Sequence, residues 1–443
     1  MRNVPVNHSI SPRLDSARIA AELAVAESAL TSTSRPLRKA PAGFLWGAAT
    51  SGHQTEGNNI NSDGWLNETV VPSVFREPSG DACDSYHRYP EDIALAAALG
   101  FNCYRIGLEW SRIEPEQGNF SSAALAHYGR VLETCHERGL APIVTLSHFT
   151  VPRWFARRGG FEVADGADLF ARFAERVGGR LGRLIAAATP FNEANIARLL
   201  AMLPDAAQRK PAIAAMIAAA AKASGAPAWS SLLFADPDRT EPVMLDAHAK
   251  AYQALKSGPG DYPVGVSLSL QHIEAAEGGE KVAAHLRKVL YDAWLSMARD
   301  SDFIGVQTYT RVRVGPQGLL PPEPDAEMTD AGYEFHPEAL GETIRYAARE
   351  TGKPVYVTEN GIATKDDSRR AAFIERALAS VAECLAEGVD VRSYIHWSLL
   401  DNFEWTRGYS EKFGLASVDP IDFVRRIKPS AATLGARARL GMI

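Results

Sequence analysis

Glutamates, amides, one histidine, one arginine and several tryptophans recur in this sequence at one kind of place: the end of a short apolar run rich in β-forming residues. A first run ends near Gln54 and Glu56. A second carries Arg105 and ends at Glu109 and Trp110. A third ends at His148, a fourth at Asn192 and Glu193, a sixth at Gln307 and Tyr309, and a seventh at Glu359 and Asn360. The eighth continues through Trp397 to Asp401, Asn402, Phe403, Glu404 and Trp405. Such a set suits a sugar. Hydroxyl groups require both donors and acceptors, which glutamine, asparagine, histidine and glutamate supply. The C–H face of a pyranose stacks on aromatic rings, and tryptophan offers the largest area. Two acids on opposite sides of the sugar ring suit cleavage of a glycosidic bond. No member carries this reading alone. A glutamate ending a strand is ordinarily exposed or ion-paired, and a tryptophan there is ordinarily core, so the weight lies in the constellation.

The elements that must position these groups alternate. The apolar runs cover 43–50, 101–110, 141–149, 184–193, 263–271, 302–310, 354–361 and 391–400. Between them lie stretches of helical period. Residues 168–184, for example, carry Leu169, Phe170, Phe173, Val177 and Leu181 on one face. Gly100, Gly139, Gly352 and Gly388 close several of these stretches, as a left-handed C-terminal position prefers. Eight βα units imply parallel strands, because each helix supplies the crossover. Near-continuous apolar strands fit a sheet covered on both faces. The expected fold class is α/β: a single (β/α)8 TIM barrel with long βα-loop insertions, against the rival of a doubly wound sheet. In such barrels the chemistry sits at the C-terminal ends of the strands. Residues 194–245 are Ala-rich and poor in aromatics, and read as a βα insertion. Residues 41–443 form the expected barrel, and 1–40 an N-terminal appendage, mobile or loosely docked.

Composition narrows the function further. The 443 residues are 46% hydrophobic, enough for a large core, and carry a net charge of −6. No basic field is available to attract a phosphate backbone, so nucleic acid is not an expected partner. No run of 18 apolar residues is present, so no membrane span is expected. Asp15, Arg18 and Glu22 interrupt the only N-terminal candidate for a leader, which points to a cytoplasmic protein. Cys83, Cys103, Cys135 and Cys384 share no metal-ligand or C-x-x-C spacing and read as buried reduced thiols. No metal and no cofactor are expected, and His148 reads better as a hydroxyl donor than as a ligand. The expected partner is a small glycoside or oligosaccharide. The sequence leaves monomer and homo-oligomer open.

Several motifs are long enough to carry a resemblance. FLWGAATSGHQTEG at 44–57, YRIGLEWSRIEPEQG at 104–118, VTENG at 357–361, HWSLLDNFEW at 396–405 and GYSEKFGL at 408–415 are similar to the signatures of glycoside hydrolase family 1, the β-glucosidase and β-galactosidase family. The resemblance spans about residues 41–435. It implies a retaining β-glycosidase on a (β/α)8 barrel that hydrolyses terminal β-glycosides. It implies Glu359 as nucleophile, Glu193 as acid/base, and Arg105 and Tyr309 as the groups that hydrogen-bond the nucleophile. Gln54, His148, Asn192, Glu404 and Trp405 resemble the glycone-binding set, Trp397 the aromatic floor, and Gln307 and Phe413 further substrate contacts. Glu404 matches the acid that grips two hydroxyls of an unphosphorylated sugar. A retaining pair requires carboxyl groups about 5–5.5 Å apart.

The fourth run departs from the family pattern. Ala188, Pro190 and Ala194 stand where the family has Trp, Thr and Pro. Pro190 is unusual inside a parallel strand because it removes a ladder N–H. Gln307 replaces an asparagine, and its longer arm is expected to reach toward Glu193. Thr150 replaces an acid, and Lys412 an arginine. Two rivals to hydrolysis stay open: transfer to an acceptor other than water, and a barrel that binds a sugar or apolar ligand and hydrolyses weakly.

Overall fold

A computed structural model describes residues 15–32 and 37–443. Each of the eight apolar runs contains one strand: β1 Leu45–Ala49, β2 Cys103–Gly107, β3 Ala141–Ser147, β4 Ala187–Phe191, β5 Gly265–Ser269, β6 Phe303–Gln307, β7 Val355–Asn360 and β8 Val391–Trp397. All pair in parallel, in the order 4-3-2-1-8-7-6-5. A bridge between Ala188 and Val264 joins β4 to β5 and closes the circle. The fold is therefore the closed barrel, not the doubly wound sheet.

One helix follows each strand: α1 Ser85–Ala98, α2 Ser122–Glu137, α3 Gly166–Leu181, α4 Pro237–Ser257, α5 Glu280–Arg299, α6 Ala339–Thr351, α7 Asp367–Ala386 and α8 Pro429–Leu440. The apolar stripe of α3 is buried as its period requires. Ser121 caps α2 by accepting from the Ala124 N–H at 3.1 Å, and Gly352 ends α6 at φ 68°. The insertion after β4 folds into helices Ile196–Ala201 and Ala206–Ser224. Among the described residues no helix is long and apolar enough to cross a membrane, and all four cysteines are buried and unpaired.

Of the 1–40 segment, residues 1–14 and 33–36 lie outside the described residues. The helix Ser16–Thr31 packs on α8, burying Ile19 and Leu23. Gly435 makes room for this contact: a Cβ there would stand 2.8 Å from the Leu23 side chain. Glu27 pairs with Arg439 at 2.8 Å, and the main chains of Arg38 and Ile443 exchange two hydrogen bonds of 3.0 and 2.7 Å.

Pro190 has a simple account. Main-chain N–H groups along a strand alternate between its two neighbours. The Ala188 N–H donates to Pro263 O on the β5 side at 2.9 Å. Residue 190 faces the same side, where Ala188–Val264 is the single ladder pair. The missing donor thus falls on a seam that is barely laddered. Bulk behind β4 comes from aromatics rather than from residue 188. Phe191 stacks on Phe170 at 4.5 Å and meets Phe161 edge-on at 5.4 Å.

Candidate active site

The C-terminal ends of the strands bring the sequence-predicted residues into one connected network. Arg105, on β2, is fully buried and points two nitrogens at different partners. Nη1 pairs with Glu359 Oε1, and Nη2 donates to Asn192 Oδ1 at 2.7 Å. Tyr309 Oη donates to the other Glu359 oxygen at 2.6 Å. The Glu359 carboxylate therefore receives a guanidinium on one oxygen and a phenol on the other. Its neighbour Asn360 fixes the end of β7 by donating to Thr308 O at 2.6 Å and accepting from Tyr394 Oη at 2.9 Å.

Asn192 is the hub. Its Oδ1 accepts from both Arg105 and Gln307 Nε2, each at 2.7 Å, which assigns the amide orientation. Its Nδ2 then donates to His148 Nε2 at 3.1 Å, leaving Nδ1 to carry the ring proton. Burial, with Arg105 close by, pushes the His148 imidazole well below its ordinary 6.5, so it is neutral. Gln307 does not reach Glu193, contrary to expectation. Asn192 Oδ1 offers a free lone pair toward β6, whereas Glu193 lies by β5, where the nearby Ser269 hydroxyl favours its ionised form.

The two central carboxyl groups sit in different surroundings. Burial raises Glu193, and the charge on Glu359 raises it further, to about 8. Burial also raises Glu359 above 4.5, but Arg105 and Tyr309 oppose that rise. Two donors on one acid, against burial and a neighbouring negative charge on the other, separate their proton affinities. Burial and the neighbouring Glu359 hold the Tyr309 phenol well above 10, so it remains a donor.

A second group lies alongside. Gln54 Nε2 is within 2.8 Å of Phe403 O and 3.3 Å of Glu404 Oε2, and Ser51 Oγ donates to its Oε1 at 2.7 Å. Trp397 Nε1 donates to Glu404 Oε1 at 3.3 Å. Trp397 stacks on His148 at 5.5 Å, and Trp405 lies parallel to the buried His53 at 5.5 Å. Phe413 meets the Tyr309 ring edge-on at 5.9 Å. Eleven of the twelve sequence-predicted site residues are thus linked by direct contacts, Trp405 joining through His148 at 6.3 Å, while Glu193 is coupled to the set through its chain neighbour Asn192 and the charge of Glu359.

Glu56 and Glu109, also at strand ends, turn away into a buried network. Glu109 accepts from the His53 N–H at 2.9 Å, Asn59 Nδ2 at 2.7 Å and Thr150 Oγ1 at 2.8 Å. Glu56 pairs with Arg112 at 2.7 Å, and burial pushes its carboxyl up to about 7. Sequence reasoning missed Ser269, Asn195, His53 and Tyr333. Tyr333 is 44% exposed, in the loop before α6, and feels the charges of both Glu193 and Glu404.

The Glycosyl hydrolase family 1 model matches residues 37–298 and 296–435. The chain belongs to glycosyl hydrolase family 1. It is a β-glycosidase, a hydrolase acting on small carbohydrate substrates. A solved structure titled as the apo form of a β-glucosidase 1317 superposes with a TM-score of 0.87 at 47% identity, covering 90% of this chain and 99% of that one. β-Glucosidase A of Acetivibrio thermocellus is 28% identical over 450 residues, covering 88% of this chain and 96% of that protein. A β-galactosidase of Pyrococcus woesei is 27% identical over 479 residues, covering 86% of this chain and 93% of that protein.

Proposed function

We propose that this chain is a retaining β-glucosidase that hydrolyses terminal unphosphorylated β-D-glucosides by double displacement. The observation that carries the reading is the unequal pair of carboxyl groups. Glu359 is held by Arg105 and Tyr309 in a form suited to attack, and Glu193, raised to about 8, holds its proton at neutral pH. An oxygen of Glu359 attacks the anomeric carbon while Glu193 gives its proton to the departing glycosidic oxygen. The covalent bond removes the negative charge from Glu359. The charge that adds to burial in keeping Glu193 protonated goes with it; the ionised Glu193 then takes a proton from water, whose oxygen bonds to the anomeric carbon as the bond to Glu359 breaks.

In this reading Gln54, His148, Asn192, Glu404 and Trp405 bind the glycone hydroxyls, Trp397 forms the floor beneath the ring, and Gln307 and Phe413 complete the wall. Glu404 favours free hydroxyls over a phosphorylated sugar, because a carboxylate accepts from hydroxyls and repels a phosphate. The β-glucosidase names of two of the relatives support glucose over galactose.

Glu359→Ala tests the assignment. Turnover of an aryl β-glucoside is expected to fall at least about 10³-fold, with partial recovery in azide as an α-glucosyl azide product. Retention of most of the activity by Glu359→Ala would exclude Glu359 as nucleophile.

A further inference from the structure

Glu193 stands where the barrel is least well laddered. Beyond the Ala188–Val264 bridge, β4 and β5 form no further ladder pair, and Pro190 has no N–H to offer the seam. The backbone of Glu193 has φ 40°, a left-handed conformation that a non-glycine residue keeps only when its surroundings enforce it. The enforcing contacts cross the seam immediately after Glu193. The Ala194 N–H donates to Ser267 O at 3.0 Å, a bond that a proline at this position could not make. Asn195 Nδ2 donates to Ser269 O at 2.9 Å, and Asn195 Oδ1 accepts from the Ser269 N–H at 3.0 Å.

Asn195 is 2% exposed and Ser269 3%. An asparagine opening a helix ordinarily spends its side chain on the cap. Asn195 opens Ile196–Ala201 without any such bond. Its amide instead mimics a ladder strand and pairs with both main-chain groups of Ser269, the residue whose hydroxyl favours the ionised form of Glu193.

We propose that Asn195 is a positioning residue of the acid/base: it latches β4 to β5 through Ser269 and thereby fixes both the backbone of Glu193 and the Ser269 hydroxyl beside it. This inference rests on the assignment of Glu193 as acid/base. Ala188, Pro190, Ala194 and Asn195 then form one arrangement, in which a side-chain clamp replaces the strand ladder. A displaced general acid should damage departure of poor leaving groups and spare good ones, because a stable phenolate needs no proton to depart. A displacement near 1 Å costs about 10²-fold in rate.

The test compares kcat/KM for phenyl and 2,4-dinitrophenyl β-glucosides in the wild type, Asn195→Ala, Ser269→Ala and Glu193→Gln. Asn195→Ala is expected to lose about 100-fold on the phenyl glucoside and under about threefold on the dinitrophenyl glucoside. A purely structural lesion would lower both alike, and that result overturns the latch. Glu193→Gln keeps the two readings apart. If it shows no dependence on the leaving group, the acid/base assignment itself fails. If it shows the dependence and Asn195→Ala does not, only the latch fails.

Should Asn195→Ala not fold, Ser269→Ala decides, because it leaves the main-chain clamp in place. The Ser269 hydroxyl favours the ionised form of Glu193. The other groups facing that carboxyl, Glu359 on β7, Arg105 on β2, and Tyr309 and Tyr333 from the loops after β6, are unchanged by the substitution. The alkaline limb of kcat/KM is expected to move to higher pH, and an unmoved limb with an unaltered leaving-group profile contradicts the proposal.

Discussion

Glu193→Gln removes one proton-binding site while keeping the shape of a neutral acid, and its consequence for stability follows from the proton balance. The Glu193 carboxyl rises from 4.5 to about 8 on folding, through burial and then the charge of Glu359. Between those values the folded protein holds a proton that the unfolded chain has released, so stability falls as pH rises through this window. At pH 7 about 2.5 pH units of the window have been crossed, and at pH 5 about 0.5. Each unit is worth about 1.4 kcal/mol, so the native state carries a cost of about 3 kcal/mol at pH 7 and under about 1 kcal/mol at pH 5.

Glutamine does not ionise and escapes this cost. With an unfolding entropy of about 2.1 cal/mol/K per residue, the 443 residues give about 0.9 kcal/mol per degree. The Tm advantage of Glu193→Gln over the wild type should therefore grow by about 3 °C between pH 5 and pH 7. Differential scanning calorimetry at one fixed scan rate measures it, because the other acids are common to both proteins. An advantage independent of pH, or one that shrinks as pH rises, would refute the protonated Glu193 on which the proposed first chemical step depends.

Three further outcomes are expected. Tyr309→Phe removes one charge-assisted hydrogen bond from Glu359, worth about 1.5–3 kcal/mol, so kcat/KM should fall roughly 10- to 100-fold. Because that bond opposes the rise of the Glu359 carboxyl, the acidic limb of the pH profile should also move upward, and steady-state kinetics across pH checks both. Glu404→Ala leaves Gln54 Nε2 and Trp397 Nε1 without their shared carboxylate, and calorimetric titration of a neutral glucose-configured inhibitor should show Kd rising about tenfold or more. Leu23→Ala opens a cavity between the N-terminal helix and α8, costing about 2–5 kcal/mol, so Tm should drop by roughly 2–5 °C while kcat at 25 °C stays unchanged.

Much of the architecture was legible because it rests on local signals. A fully buried parallel strand must be apolar throughout, so each of the eight runs could be recognised without knowing its neighbours. The polar residues ending those runs could be pooled into one candidate site because parallel strands in a barrel end on the same face. That rule did not separate Glu56 and Glu109 from the rest. Both end strands, yet their partners, Arg112 and Tyr128 for one and Asn59 and Thr150 for the other, lie behind the site and become neighbours only in the fold.

The seam between β4 and β5 was illegible for a related reason. Asn195 follows two residues after Glu193 and resembles a helix cap, while its partner Ser269 lies 74 residues on, in an apolar run. Nothing near either residue announces the pairing. Pro190 looked like a defect because the sequence alone does not say which side of β4 lacks a ladder. Gln307 was assigned the wrong partner because side-chain length gives reach and not direction. Its direction is set by the second lone pair of Asn192 Oδ1, a property of the packed site.

In the proposed mechanism Glu359 becomes covalently attached to the sugar. Incubation with a 2-deoxy-2-fluoro β-glucoside carrying a good leaving group, followed by mass spectrometry of the intact protein and of its peptides, tests it most directly. One fluoroglucosyl adduct per chain is expected, on the peptide containing Glu359, with its slow release restoring activity. A folded enzyme that turns over aryl β-glucosides yet forms no adduct, or forms it on a different residue, would contradict it.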